Sequence, residues 1–155
     1  MNADVDPHIE AALEALNRQD TDGLVAEFVD GGTFTDPFVT EGVSGAELRA
    51  YFSDLFEAAP DLHLDVDRVV SPADGPTAIE GAYVGTHRGT LDGIPPTGNS
   101  VVVPTMVVID VSPDGITAWR DYWDSRTFFE QLGLTFPEVV PLLPGLAVRK
   151  LKEFV

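Results

Sequence analysis

The sequence predicts an α+β domain in which three N-terminal helices lie over a cone-shaped, curved antiparallel sheet and enclose a pocket. Three observations carry this expectation. Helical apolar spacing dominates before Pro60, four stretches between Leu62 and Asp124 alternate apolar and polar residues instead, and the connections between them are short and rich in Pro, Asp and Gly. Short turns between consecutive strands imply an antiparallel meander, because a parallel crossover needs a much longer connection.

Asp6 before Pro7 has the form of an N-cap with proline at the first helical position, and Ile9, Leu13 and Leu16 follow at helical spacing, giving a helix over about residues 6–19. A second, short helix opens at a cap within Asp20 to Asp22, buries Leu24, Val25 and Phe28, and is broken by Gly31-Gly32. Thr33 to Val39 alternates and is aromatic, which reads as a strand. Ser44-Gly45-Ala46-Glu47 has capping-box spacing, and Leu48, Tyr51, Phe52, Leu55 and Phe56 supply the apolar face of a third helix ending near Ala59-Pro60. Strands are expected over Leu62 to Ser71, Thr77 to Thr90, Ser100 to Val111 and Ile116 to Asp124. Ser125 to Leu132 reads as one or two helical turns stopped by Gly133. The cone domain is assigned to residues 1–135. Residues 136–155, with three prolines and an amphipathic end from Leu146 to Val155, form a C-terminal extension expected to pack back or to contact a second subunit.

At 155 residues the chain fits one domain with a single core. It lacks an apolar run long enough to span a membrane, and the first residues are acidic where a signal peptide is basic, so a soluble, cytoplasmic protein that does not bind membranes is expected. Cysteine is absent, which excludes disulfides, thiol nucleophiles and thiolate metal sites. With 26 acids against 9 bases the net charge is −17, and the only lysines are Lys150 and Lys152. Nucleic-acid binding is therefore not expected, because neutralising phosphates needs clustered bases. The acids are spread along the chain. Such a composition resembles proteins of halophiles, where molar salt screens self-repulsion to about 3 Å.

The densest chemistry lies in Trp119-Arg120-Asp121-Tyr122-Trp123-Asp124. Strand alternation places Trp119, Asp121 and Trp123 on one face and Arg120, Tyr122 and Asp124 on the other. A carboxylate flanked by indoles loses hydration, which raises its pKa toward the range useful for proton transfer. The alternative is an edge strand whose aromatics simply pack. His87 shares a face with Ile79 and Tyr83, and is open to a structural or a catalytic reading. Asp36 precedes Pro37, which turn chemistry alone favours, and it is also placed to be a second pocket acid. Three scattered histidines do not make a metal site. The Gly93 to Gly98 loop lacks the Lys-Ser/Thr of a phosphate loop and reads as a hairpin connection near the pocket entrance.

Phe34-Thr35-Asp36-Pro37-Phe38, Gly85-Thr86-His87-Arg88-Gly89, Gly93-Ile94-Pro95-Pro96-Thr97-Gly98, Trp119 to Asp124 and Glu130-Gln131-Leu132-Gly133, in this order, resemble the SnoaL-like polyketide cyclases of the nuclear transport factor two-like superfamily. The resemblance implies a homodimer and a pocket for a small hydrophobic or aromatic molecule. It further implies an intramolecular aldol closure without metal or cofactor, with the aspartate of the last strand, here Asp121, as acid and base. Trp119 and Trp123 would flank a planar substrate, with Tyr83, Phe38, Tyr51 and Phe52 as further contacts. Cyclases of the family place a histidine on the preceding strand, and Val101 to Val111 contains none.

Two related families share the cone. Limonene-epoxide hydrolases resemble the chain at Trp119-Arg120-Asp121-Tyr122, but their companion Arg-x-Asp is missing from the strand Ile79 to His87, which offers Glu80. Ketosteroid isomerases resemble it at Asp36-Pro37, yet their helix tyrosine falls at about Ala12 and their second acid at about Met106. A non-catalytic binding or scaffold protein is the reading from outside the enzymes.

Overall fold

The computed structural model describes residues 5–135, so the C-terminal extension lies outside the described residues. Helix α1 runs Pro7–Asn17, with the Asp6 carboxylate accepting the His8 N–H at the cap, and α2 runs Thr21–Ala26 behind an Asp20 cap that accepts from Gly23. Strand β1, Phe28–Thr35, begins earlier than expected. Phe28 leaves the helix and the strand runs through the glycine pair, because Gly31 takes a positive φ of 75° and absorbs a bulge instead of ending an element. Helix α3 spans Gly45–Ala58. Its expected capping box does not form: Ser44 is extended and its side chain makes no cap bond.

Strands β2 (His63–Val70), β3 (Thr77–Thr86), β4 (Ser100–Ser112) and β5 (Gly115–Trp123) follow, and α4 (Ser125–Gln131) closes the described chain. The sheet order is β1-β5-β4-β3-β2. Strands β2 to β5 form the antiparallel meander, whereas β1 pairs parallel to β5. The sheet is thus mixed and not wholly antiparallel. Only β1 is separated from its partner by a long excursion, through α3 and the meander, and a parallel pair requires such a connection.

Curvature comes from irregularities in register between Val66 and Arg68 and between Asp110 and Val111. At Gly81 a β-carbon would stand 2.1 Å from the Asp65 carbonyl oxygen, so the crossing of β2 over β3 requires glycine there. The concave face presents Ile79, Val107, Ile109, Ile116 and Trp119, all fully buried, and α1 and α3 cover it with Ile9, Leu13, Leu16, Leu48 and Phe52. Each such side chain contributes roughly 1.5–3 kcal/mol. A second cluster, Val101, Val103 and Leu132 with Trp123 and Phe128, seats α4 on the end of β4, where the Asn99 amide donates to the Leu132 carbonyl at 2.9 Å. No helix among the described residues is long and apolar enough to cross a membrane.

Candidate active site

The concave face does not fill completely. Between it and the helices lies a space lined by Phe34, Phe52, Leu55, Leu62, Val101 and Val103, with Asp36, Tyr51, Tyr83, His87 and Asp121 as its polar members. The space free of protein atoms is about 770 Å³, open solvent at its mouth included. The mouth leads to a second recess lined by Asp54, Asp92, Ile94 and Phe129, and Phe38, Tyr51, Leu55 and Leu91 line both.

Asp121 sits on the inner face of β5, as alternation requires, and is 6% exposed. Its Oδ1 accepts the Trp119 indole N–H at 2.6 Å and its Oδ2 accepts the Tyr83 hydroxyl at 2.7 Å. Burial pushes the Asp121 carboxyl up to about 7; the Tyr83 and Trp119 hydrogen bonds pull the other way, and the charge of Asp36 adds to the rise. Desolvation therefore wins over two good donors. The Tyr83 phenol is itself held well above its ordinary value, by burial first and the Asp121 charge second.

Asp36 follows β1 and joins both of its sequence readings. Its Oδ1 accepts the backbone N–H groups of Phe38 and Val39 at 2.7 and 2.9 Å, which is turn chemistry, while its Oδ2 accepts the Tyr51 hydroxyl from α3. Burial, then the Asp36 charge, raises the Tyr51 phenol. The site is thus two acid–phenol pairs in an apolar space. Sequence reading named all four residues but paired none of them. Inward phase was legible for Tyr83 and the apolar stripe for Tyr51; the diagonal reach of Tyr83 across β4 to Asp121 depends on sheet curvature.

His87 is elsewhere. Its backbone N–H bonds to Asn99, whereas Asp121 pairs with Val107, eight positions further along β4. The Thr97 backbone N–H donates to His87 Nδ1 at 3.2 Å, and burial lowers the ring's pKa. Around it the chain is fastened: Arg88 and Gly89 both donate to the Ala58 carbonyl, tying the end of β3 to α3. His87 therefore lines the cavity but lies outside the acid group. Its Nε2 is the buried side-chain polar atom without a hydrogen-bond partner among the described residues.

Trp119 departs from the stacking role expected of it. It is fully buried and does not line the cavity; its ring stacks on Phe28 at 6.3 Å and its N–H serves Asp121. Trp123 does line the wall and meets Phe38 edge-on at 4.9 Å, and Phe38, 42% exposed, stands at the mouth. Phe52 packs edge-on against Phe34 in the wall. The loop after β3 holds a tight turn that the sequence reading missed: Leu91 and Ile94 exchange two backbone bonds of 3.0 and 2.8 Å across Asp92 and Gly93, both at positive φ. The Asp-Gly pair was its signal.

The arginine of Trp119-Arg120-Asp121 points outward, donating to Asp110 at 2.5 Å, and Glu80 lies exposed beside Arg68. An Asp-Arg-Asp group of the epoxide hydrolase kind is therefore not assembled in the cavity. Among the described residues no group of three His, Asp or Glu is placed to hold a metal.

Solved structures of similar fold include TsrD from Streptomyces laurentii (24% identity, TM-score 0.71, covering 87% of this chain and 98% of that one). AclR from Streptomyces galilaeus is similar at 21% identity and TM-score 0.71, covering 83% and 94%. A Catenulispora acidiphila protein with a ketosteroid isomerase-like fold, solved with trimethylamine, is similar at 18% identity and TM-score 0.71, covering 84% and 95%. These likenesses establish the fold. No curated protein matches the sequence. The family model for SnoaL-like polyketide cyclase matches residues 8–132, and on that match the chain belongs to the SnoaL-like polyketide cyclase family.

Proposed function

We propose that this protein is a small-molecule enzyme in which Asp121 moves a proton, as in an intramolecular aldol closure. The single observation behind this reading is the Asp121 carboxyl, buried in an apolar cavity and titrating near 7, where a group serves equally as base and acid. In the forward step the Asp121 carboxylate takes a proton from a carbon beside a substrate carbonyl. The resulting enolate carbon bonds to a second carbonyl carbon, and that carbonyl oxygen recovers the proton from Asp121. Tyr83 and Trp119 hold the carboxyl by one hydrogen bond to each oxygen, leaving a lone pair free for the reacting proton. The trimethylamine seen in a relative of the same fold supports a small-molecule pocket.

The test is deuterium exchange at the α-carbon of a compact aromatic ketone, 2-tetralone, in D2O. The wild-type protein is expected to accelerate exchange, and Asp121→Asn, checked for folding by circular dichroism, to lose the acceleration. Equal exchange by both proteins sinks the reading.

One observation favours a non-catalytic binding protein instead: both phenols of the site donate to carboxylates, so neither is free to donate to an oxyanion. Ligand binding with no exchange in any variant would establish that alternative. We also propose a homodimer through the outer sheet face, where Val102, Met106 and Tyr122 are exposed. Sedimentation equilibrium in high salt showing monomer alone would refute it.

A further inference from the structure

The charge balance of the cavity is one-sided. Two carboxyls, Asp36 and Asp121, stand in a wall that is otherwise aliphatic and aromatic, and no lysine or arginine among the described residues lines it. The one ring base in the wall, His87, does not compensate them. The Thr97 N–H occupies its Nδ1, which places the ring proton on Nε2 and leaves the imidazole neutral. Burial lowers the ring's pKa, against the Gly89 backbone, which raises it. Buried negative charge without a cation is unfavourable, and Asp121 relieves part of it by binding a proton near neutrality. A ligand cation would relieve it more completely.

The walls suit such a ligand. Phe34, Phe38, Phe52, Trp123 and Phe128 line the same space, and aromatic faces attract an ammonium through the ring quadrupole. A second observation is independent of the acids. The Nε2 of His87, a residue 4% exposed, has no hydrogen-bond partner among the described residues, in a wall that is nearly all apolar. Buried polar atoms are seldom left unpaired, so this one marks the cavity as a space that a bound molecule fills.

We propose that the cavity takes an apolar ring molecule bearing a protonated amine, with the Asp36 and Asp121 carboxyls as its counter-charge. This rests on reading the cavity as a small-molecule site and narrows its substrate class. The field of the whole chain, at −17, favours cations over anions at low ionic strength as well.

Asp121 faces Tyr83 from β3, Trp119 from its own strand, Asp36 from the turn after β1 and Tyr51 from α3, while α1, β4 and α4 bring Leu16, Val103 and Phe128 to the wall. An ammonium beside this group favours the ionised carboxyl. Binding therefore releases a proton, and affinity rises as pH is raised through the range in which Asp121 titrates.

Three probes with one skeleton test the proposal by isothermal titration calorimetry in low salt: 2-(aminomethyl)naphthalene, 2-naphthalenemethanol and 2-naphthoate. At about pH 8 the amine is expected to bind at least about tenfold more tightly than the alcohol, with no binding of the naphthoate. Between about pH 6 and 8 the amine should tighten by up to about tenfold, as one carboxyl ionises. In Asp121→Asn the ratio of amine to alcohol affinity should fall, and a ratio taken within one variant is insensitive to partial misfolding. An alcohol that binds as tightly as the amine, a naphthoate that binds, or a pH-independent amine overturns the proposal. Failure of all three probes to bind overturns it together with the small-molecule reading. Alcohol preference with Asp121-dependent exchange of 2-tetralone would remove the amine and leave the proton-transfer function standing. Amine preference without exchange would do the reverse.

Discussion

The two faces of the sheet at β5 and its neighbour β4 carry similar residues in opposite circumstances. On the inner face Trp119 is fully buried, Asp121 is 6% exposed, and the carboxyl finds its donors in an indole and a phenol. On the outer face Tyr122 is 57% exposed, and Arg120 meets Asp110 across the register at 2.5 Å in a half-exposed pair. The inner acid is held by neutral donors and titrates near neutrality; the outer acid has a guanidinium partner. Alternation decides which acid is which, and desolvation decides what the inner one can do.

The comparison breaks most visibly in activity. Asp121→Asn should reduce α-proton exchange by about 10²–10⁴-fold, while Asp110→Asn, the same change outside, should leave it unaltered; nuclear magnetic resonance of the exchanging ketone reads both. Next comes packing. Trp119→Ala should destabilise by about 3–5 kcal/mol in urea unfolding, against about 0.5 kcal/mol or less for Tyr122→Ala measured on the monomer.

The third contrast is in pH. Because the folded chain holds the Asp121 proton up to about 7, folding is most favoured below the usual carboxylate range and loses stability as pH rises through about 7, levelling above it. The loss is on the order of 4 kcal/mol. Asp121→Asn should flatten that part of the stability curve and leave the variant more stable than wild type at about pH 8, and equal slopes for the two proteins would refute the assignment. Tyr83→Phe removes a bond that lowers the Asp121 carboxyl, so its midpoint, followed by ¹³C chemical shift, should move upward. Smallest is the outer pair: Arg120→Ala should cost less than about 1 kcal/mol, and nothing measurable in molar salt.

How much of this was legible follows the range of the interactions. Helix α1 could be read from Asp6, Pro7 and a stripe of apolar residues because those signals act within a few positions. The inward direction of Asp121, Tyr83 and His87 was equally local, being a matter of strand phase. The parallel partner of β1 was not legible, since Phe28 and Gly31-Gly32 look alike whether they end a helix or bulge a strand. Nor were the acid–phenol pairs: Tyr51 reaches Asp36 only because α3 crosses the end of β1, and no motif encodes that crossing. The resemblance at Trp119-Arg120-Asp121 singled out a carboxyl that the fold buries in the cavity wall, but the expected pocket role of Trp119 gave way to a core role beneath it.

Asp36 divides its two oxygens between tasks that an engineer would want to vary separately. One oxygen fixes the backbone of Phe38, whose ring stands at the mouth, and the other faces Tyr51 inside. Replacing this acid would change the turn that holds Phe38 and the charge beside Tyr51 together. Asp121, whose side chain bonds to no backbone N–H, can be replaced without releasing that turn.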